Sequence, residues 1–241
     1  MQGIVDIHNH VLPGVDDGAG SVKEAADMCA LAVEEGIRTI VATPHYHLGM
    51  QAAGNERRDN ALQLLEEEIA IRCLNLRIYR GNEIYYSVQA VEDLRAGKAR
   101  TMGSSQYVLT EFSPEAEYSY IRRGLSHLVQ EGYLPIIAHV ERYKEVVCEK
   151  SRIYELVELG SYLQINVSGV MGMSGRKTKA FCNELLREEL VHFVATDAHD
   201  LKNRAPRIKK CADFIIKKYG AAYAKRLFID NPQIMLWDEY L

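Results

Sequence analysis

"GIVDIHNHVLPGVDDGAGSVKEAADMCALAVEEGIRTIVATPH", residues 3–45, reads as a strand, a loop, a helix and a second strand. The run GIVDIH (3–8) is short and apolar, as a buried strand is. SVKEAADMCALAVEEG (21–36) opens on Ser21, an N-cap residue, with Glu24 three positions later completing a capping box. It closes on Gly36, where a left-handed C-cap fits. TIVATPH (39–45) is apolar again, so the stretch forms a βαβ unit with two parallel strands.

The unit recurs along the chain. Further strand candidates are LRIYRGNE (76–83), YVLTEF (107–112), LPIIAHVE (134–141), YLQINV (162–167) and VHFVATDAH (191–199). Helix candidates are SYIRRGLSHLVQEG (119–132), ending on Gly132, and RIYELVELG (152–160), ending on Gly160, with two more near 206–219 and 221–229. Seven strands, each followed by a crossover, predict an α/β fold in which a parallel sheet closes into a (β/α)7 TIM-like barrel. An open doubly wound sheet is the alternative. No linker, low-complexity tract or internal repeat interrupts residues 1–241, so a single domain is expected.

Composition removes several function classes. Lys plus Arg number 29 against 33 Asp plus Glu, a net charge of -4, and no basic run marks a nucleic-acid footprint. No stretch approaches the roughly 18 apolar residues that cross a bilayer. Asp6 interrupts any apolar core of a signal peptide, so a cytoplasmic protein is expected. The five cysteines are scattered and include no C-x-x-C pair, which suits reduced packing residues.

The unusual polar residues fall at the C-terminal ends of the strand candidates. The first ends in Asp6, His8 and His10, the second in His45 and His47, the third in Glu83 and the fourth in Glu111. The fifth ends in His139 and Glu141, the seventh in Asp197 and His199. In a (β/α) barrel those ends form one rim, and that rim holds the active site. His8 and His10 are two apart on a strand and point to one face, as do Asp197 and His199. Imidazoles mixed with carboxylates suit zinc, iron or manganese, and the lack of cysteine ligands argues against a structural zinc site. Each group has an ordinary meaning alone. Val-Asp-Asp-Gly is turn chemistry, Glu83 after Gly81 and Asn82 is a loop acid, and His127 and His192 are surface or packing residues. Six strands converging on one rim are not explained that way. Spacing does not choose between Asp16 and Asp17.

Together DIHNH, TPH, a Glu after the third strand, AHVERY and TDAH resemble the PHP (polymerase and histidinol phosphatase) superfamily. Within it, HVLPGVDDG, HVERY and DAHDLKNR resemble the bacterial manganese-dependent tyrosine phosphatases of capsule and exopolysaccharide operons. The resemblance runs nearly the full length, and HYHLGMQAAGNERR, the expected substrate-facing loop, is its looser part. It implies a distorted (β/α)7 barrel with up to three metal ions, manganese first, with iron or zinc as alternatives. His8, His10, Glu83 and Asp197 would hold one ion. Glu83 would bridge to a second held with Glu111 and His139, and Asp17, His45 and His199 would hold the third. Many PHP phosphatases have histidines where this chain has Asp17 and Glu111, and the two carboxylates fit the tyrosine phosphatase branch. Asp6 would stand behind the histidines as a supporting partner.

A phosphate monoester dianion resists water, and paired cations roughly 4 Å apart activate the water and clamp the phosphoryl oxygens. Arginine matches those oxygens with its planar fork. Arg142, three after His139, and Arg204, five after His199, are the candidates, as the resemblance also implies. Metal-bound water or a rim residue such as His199 would protonate the leaving group. A cysteine-dependent mechanism is excluded, because six positions beyond Cys29, Cys73, Cys148, Cys182 and Cys211 stand Glu35, Tyr79, Tyr154, Glu188 and Lys217, never arginine. The resemblance implies the phosphotyrosine tail of a bacterial tyrosine kinase as partner and admits a homo-oligomer. Histidinol phosphate or another small phosphate monoester is the alternative substrate.

Overall fold

A computed structural model describes residues 1–48 and 54–241. Among them the strands are β1 (Ile4–Asn9), β2 (Ile37–Ala42), β3 (His45–Tyr46), β4 (Arg77–Arg80), β5 (Glu83–Tyr85), β6 (Tyr107–Glu111), β7 (Leu134–Ile137), β8 (Tyr162–Asn166) and β9 (Phe193–Ala195). The helices are α1 (Val22–Glu34), α2 (Asn55–Ile71), α3 (Val88–Arg95), α4 (Tyr118–Gln130), α5 (Lys144–Cys148), α6 (Ser151–Glu158), α7 (Val167–Met171), α8 (Arg176–Arg187), α9 (Lys209–Tyr219), α10 (Ala221–Lys225) and α11 (Asn231–Leu236).

Every strand pairing is parallel, in the orders β1-β2-β4 and β3-β5-β6-β7-β8-β9. The two runs are parts of one curl. A bridge between Asn9 and Ala198 joins the end of β1 to the chain after β9, and His10 N donates to Ala198 O at 2.8 Å. β2 and β3 are one strand broken at Thr43–Pro44, and β4 and β5 one strand broken at Gly81–Asn82. Pro44 has no N–H for the ladder. Asn82 Nδ2 donates to Pro44 O at 2.8 Å and replaces a lost rung. A Cβ at Gly81 would stand 3.0 Å from Val41 Cγ1 and 3.2 Å from Met102 Sδ, so a larger residue at the break would push both side chains aside. Counted through the breaks, seven parallel strands close on themselves, as expected, and the doubly wound alternative is excluded.

The barrel interior is filled by Val5, Ile7, Val41, Tyr107, Leu109, Ile136, Phe193 and Ala195, with Met235 of α11 among them. Burying each large apolar side chain is worth roughly 1.5–3 kcal/mol. A second, larger core packs the helices against the outer face of the strands. The lower part of β4 finds no partner in β6; a 3-10 turn at Met102–Ser104 lies there, with Met102 fully buried. This is the distortion of the barrel.

Helix α1 follows its sequence. Ser21 Oγ accepts from Glu24 N at 3.2 Å, although Glu24 Oε2 accepts from Gly20 N at 3.0 Å, one residue before the expected partner. Gly36 has φ 96°, the left-handed cap expected of it.

Several boundaries differ from expectation. The strand expected over 134–141 stops at Ile137, and His139 takes φ 34°. The strand expected over 191–199 is only Phe193–Ala195, and Asp197 takes φ 53°. Asp197 and His199 therefore do not share a strand face. Left-handed backbone at a non-glycine residue is held only where the surroundings over-determine it. The helix expected over 221–229 is α10 followed by a π turn at Arg226–Asp230. α2 and α8 go beyond the expected helices. α2 spreads charge over most of its surface and buries only Arg58, Ala61, Leu62, Leu65 and Ile69.

Candidate metal centre

The nine residues expected as ligands meet at the C-terminal mouth of the barrel. Glu83, at the start of β5, is the hub and is almost fully buried rather than a solvated loop acid. His8 Nε2, His10 Nε2 and His45 Nδ1 stand 3.2, 3.3 and 3.0 Å from its Oε2. His139 Nε2 stands 2.8 Å from its Oε1 and 3.5 Å from Glu111 Oε1. Asp197 Oδ1 lies 3.4 Å from His8 Nε2 and 3.6 Å from His10 Nε2. Asp17 Oδ1 lies 3.2 Å from His45 Nε2 and 3.4 Å from His199 Nε2.

Ligating atoms within 4.8 Å of one another fall into three overlapping groups: His8, His10, Glu83 and Asp197; His10, Asp17, His45 and His199; His45, Glu83 and Glu111. His10 and His45 thus each face two groups, as Glu83 does, whereas the expected scheme shares Glu83 alone, and His139, expected beside Glu83 and Glu111, is in none of the three. The donor set could hold divalent cations. Glu83 Oε2 and His199 Nε2 are buried with no hydrogen-bond partner among the described residues. An ionised oxygen ringed by three ring nitrogens without hydrogen-bond geometry has the surroundings of a shared cation, because unpaired buried charge is costly. Imidazole and carboxylate donors suit manganese, iron or zinc.

Electrostatics points the same way. Burial alone would lower His10, but the bond to Asp16 and the nearness of Glu83 bring it up to about 9. His139 is likewise lifted against burial, to about 9, by Glu111 and Glu83. His45 reaches about 11 through Asp17 and Glu83, again against burial. Burial pushes Glu83 and Asp197 up, yet the charge of His8, foremost, holds both carboxyls below the usual range. Asp17 is held low by His199 and then His45. The mouth has a strongly negative field that attracts cations.

Asp16 and Asp17 take different jobs. Asp16 is half-buried with its carboxylate turned inward, where it accepts from His10 Nδ1 at 2.8 Å and from the backbone N–H of His45 and Gly18, each at 3.0 Å. It orients His10 so that Nε2 faces the cluster. Asp17 is exposed, and its carboxylate turns to His45 and His199.

Both expected arginines reach the same acid. Arg142 Nη2 donates to Asp197 Oδ2 at 2.6 Å, and Arg204 Nη2 donates to Asp197 Oδ1 at 2.8 Å. They line a pocket of 310 Å³ together with Lys202, Asn166 and Asp197.

The family model for capsular polysaccharide synthesis proteins, CpsB/CapC, matches residues 4–237. The chain belongs to the CpsB/CapC family. A relative named tyrosine-protein phosphatase CpsB, from Streptococcus pneumoniae, is 38% identical over 99% of this chain and 100% of its own. Tyrosine-protein phosphatase YwqE of Bacillus subtilis is 33% identical over 97% of this chain and 91% of its own. A crystal structure from work on YwqE and CpsB, described there as unique metal-dependent tyrosine phosphatases, superposes with a TM-score of 0.92 at 32% identity, covering 99% and 96% of the two chains. A phosphotriesterase homology protein from Escherichia coli shares the fold at a TM-score of 0.64 and 13% identity.

Some polar residues of this CpsB/CapC chain stand outside the cluster. Asp6 does not support the histidines. It accepts from Thr196 Oγ1 at 2.6 Å, Thr196 N at 3.0 Å and Asn9 Nδ2 at 2.9 Å, tying β1 to the turn before Asp197. The register of β1 against β2 shifts between Asp6 and Asn9, so alternation does not carry from residue 6 to residue 8. His47 packs on Tyr85, and residues 49–53 of the expected substrate-facing loop lie outside the described residues. His127 meets Tyr86 Oη, and His192 accepts from Leu163 N, as packing residues do. Burial holds His192 down at about 4, so it stays neutral and able to accept. Sequence reasoning passed over Gln164 and Asn166 of β8, two buried amides spaced two apart in an otherwise apolar strand. That pairing was their only signal.

Proposed function

We propose that this chain hydrolyses phosphotyrosine in proteins at a metal cluster in the barrel mouth. The observation that carries the reading is Glu83, whose buried Oε2 faces three imidazole nitrogens at 3.0–3.3 Å without a hydrogen bond. His8, His10, Glu83 and Asp197 would hold one ion, Glu83, Glu111 and His139 a second, and Asp17, His45 and His199 a third. Manganese is our first choice, since the donors are hard oxygens with imidazoles. The cations, when bound, supply Lewis acidity that activates water and neutralises phosphoryl charge.

The protein does the rest. Arg142 and Arg204 bring paired N–H donors to the edge of the cluster, where they would exchange Asp197 for phosphoryl oxygens. His199 Nδ1 faces its own loop at Asp197 O, 3.0 Å away, which leaves Nε2 for a cation. With both nitrogens taken, His199 serves as a ligand rather than as the acid for the leaving group. Tyrosine departs as a phenolate with a pKa of about 10 and needs little help.

The names of the relatives support phosphotyrosine as the substrate class and capsule synthesis as the setting. We infer further that the substrate is the tail of a bacterial tyrosine kinase and that the enzyme, a single PHP-type domain, works in the cytoplasm. No helix among the described residues is long and apolar enough to cross a membrane. Turnover of a phosphotyrosyl peptide beside histidinol phosphate, with manganese added, tests the reading. The peptide should be preferred by at least about tenfold in kcat/KM, roughly 1.4 kcal/mol. Preference for the small phosphate would overturn the substrate.

A further inference from the structure

Among the described residues, strand β8 is the one strand of the barrel whose C-terminal end offers no candidate ligand, and Gln164 and Asn166 are buried there. We propose that these two amides form a positioning relay that holds His8, His139 and Asp197 in ligating orientation and so sets how tightly the centre binds its cations. The proposal rests on the metal-centre reading above.

The hydrogen bonds run in one direction. His8 Nδ1 donates to Gln164 Oε1 at 3.1 Å, and the backbone N–H of His139 donates to the same oxygen at 2.8 Å. Gln164 Nε2 donates to Asn166 Oδ1 at 2.7 Å, and Asn166 Nδ2 donates to Asp197 Oδ2 at 2.8 Å. Neither amide can turn over. The His139 N–H would face a second donor if Gln164 flipped, and the Asp197 carboxylate would face a second acceptor if Asn166 flipped.

Two consequences follow for the ligands. With Nδ1 committed as donor to Gln164, His8 has only Nε2 to give to a cation, and that atom faces Glu83 and Asp197 at 3.2 and 3.4 Å. Holding a metal-facing histidine through its other nitrogen fixes both tautomer and ring orientation. Asn166 occupies Oδ2 of Asp197 and leaves Oδ1 towards His8 and His10. The relay also grips the left-handed positions of the site, His139 by its N–H and Asp197 by its carboxylate. Beneath it, Glu141 Oε1 accepts from Asn166 N at 2.9 Å and fixes the start of α7. A Cβ at Gly169 would stand 2.9 Å from that oxygen, so the fit needs glycine.

Manganese affinity of the full-length chain, measured by competition with a chromogenic chelator, tests the relay. Gln164→Leu should raise Kd for Mn2+ by about 10- to 100-fold, the range for partners that orient ligands, and Asn166→Ala by roughly 3- to 10-fold, because Arg142 also holds Asp197 Oδ2. A merely structural role would lower the melting temperature and leave Kd unchanged. A folded variant with Kd within about twofold of wild type would overturn the relay alone. A wild-type chain that binds no Mn2+ would overturn it together with the metal-centre reading. A measurement on unmodified protein stands beside the variants. In the zinc-loaded wild type, 15N spectra should find the proton of His8 on Nδ1 and the metal on Nε2. The opposite arrangement overturns the relay.

Discussion

Glu83→Gln should leave phosphotyrosine hydrolysis at least about 10³-fold below wild type, a loss of roughly 4 kcal/mol of transition-state stabilisation. Metal content per chain should fall at the same time from three ions to one. The substitution keeps the volume of the side chain and removes its charge. An amide would then face His8, His10, His45 and His139, which all approach the native carboxylate within 3.3 Å. The two ions proposed to share Glu83 would lose their common ligand, whereas the third would keep Asp17, His45 and His199. Elemental analysis after desalting, paired with peptide turnover, reads both effects, and near-native turnover would remove Glu83 from the centre.

Arg142→Ala should separate the two quantities that Glu83→Gln moves together. We expect kcat/KM to drop by about 10²- to 10³-fold, the scale for losing one preorganised charge-stabilising group. The metal content should stay native. Arg142 Nη2 bonds Asp197 Oδ2 at 2.6 Å, but Asn166 Nδ2 holds that oxygen too, at 2.8 Å, and Arg204 holds the other. The carboxylate therefore keeps its place when the guanidinium is gone. Arg142→Lys should recover little, because an ammonium is a point charge without the fork. Full activity in Arg142→Ala would end its assignment to the phosphate.

Much of this architecture was legible in the chain because barrel strands are apolar runs and their polar ends are conspicuous. His8, His10, Glu83 and His139 stood out for that reason. Backbone conformation was harder to see. Nothing in AHVE or ATDAH announces that His139 and Asp197 adopt φ 34° and 53°: His and Asp enter that region more often than most residue types, yet the great majority of them do not, so residue type alone does not mark the position. The separate tasks of Asp16 and Asp17 were equally hidden. Both fit the VDDG turn, and only the fold brings Asp16 to His10 Nδ1 and Asp17 to His45 and His199. Asp6 shows the opposite failure, a conspicuous acid whose partner, Thr196, is 190 residues away. Gln164 and Asn166 were overlooked because neutral amides carry no charge signal, and their meaning lies in what they join. The breaks at Pro44 and Gly81 use residues that visibly interrupt strands, yet their effect, a displaced upper half of two strands, is a property of the closed sheet.

Anomalous-difference density at the manganese edge, from crystals of the manganese-loaded protein, tests the central claim most directly. Three peaks should appear at the barrel mouth, two of them sharing Glu83 and the third beside Asp17, His45 and His199. Fully loaded crystals with no peak at Glu83, or with manganese only elsewhere on the surface, would contradict the account.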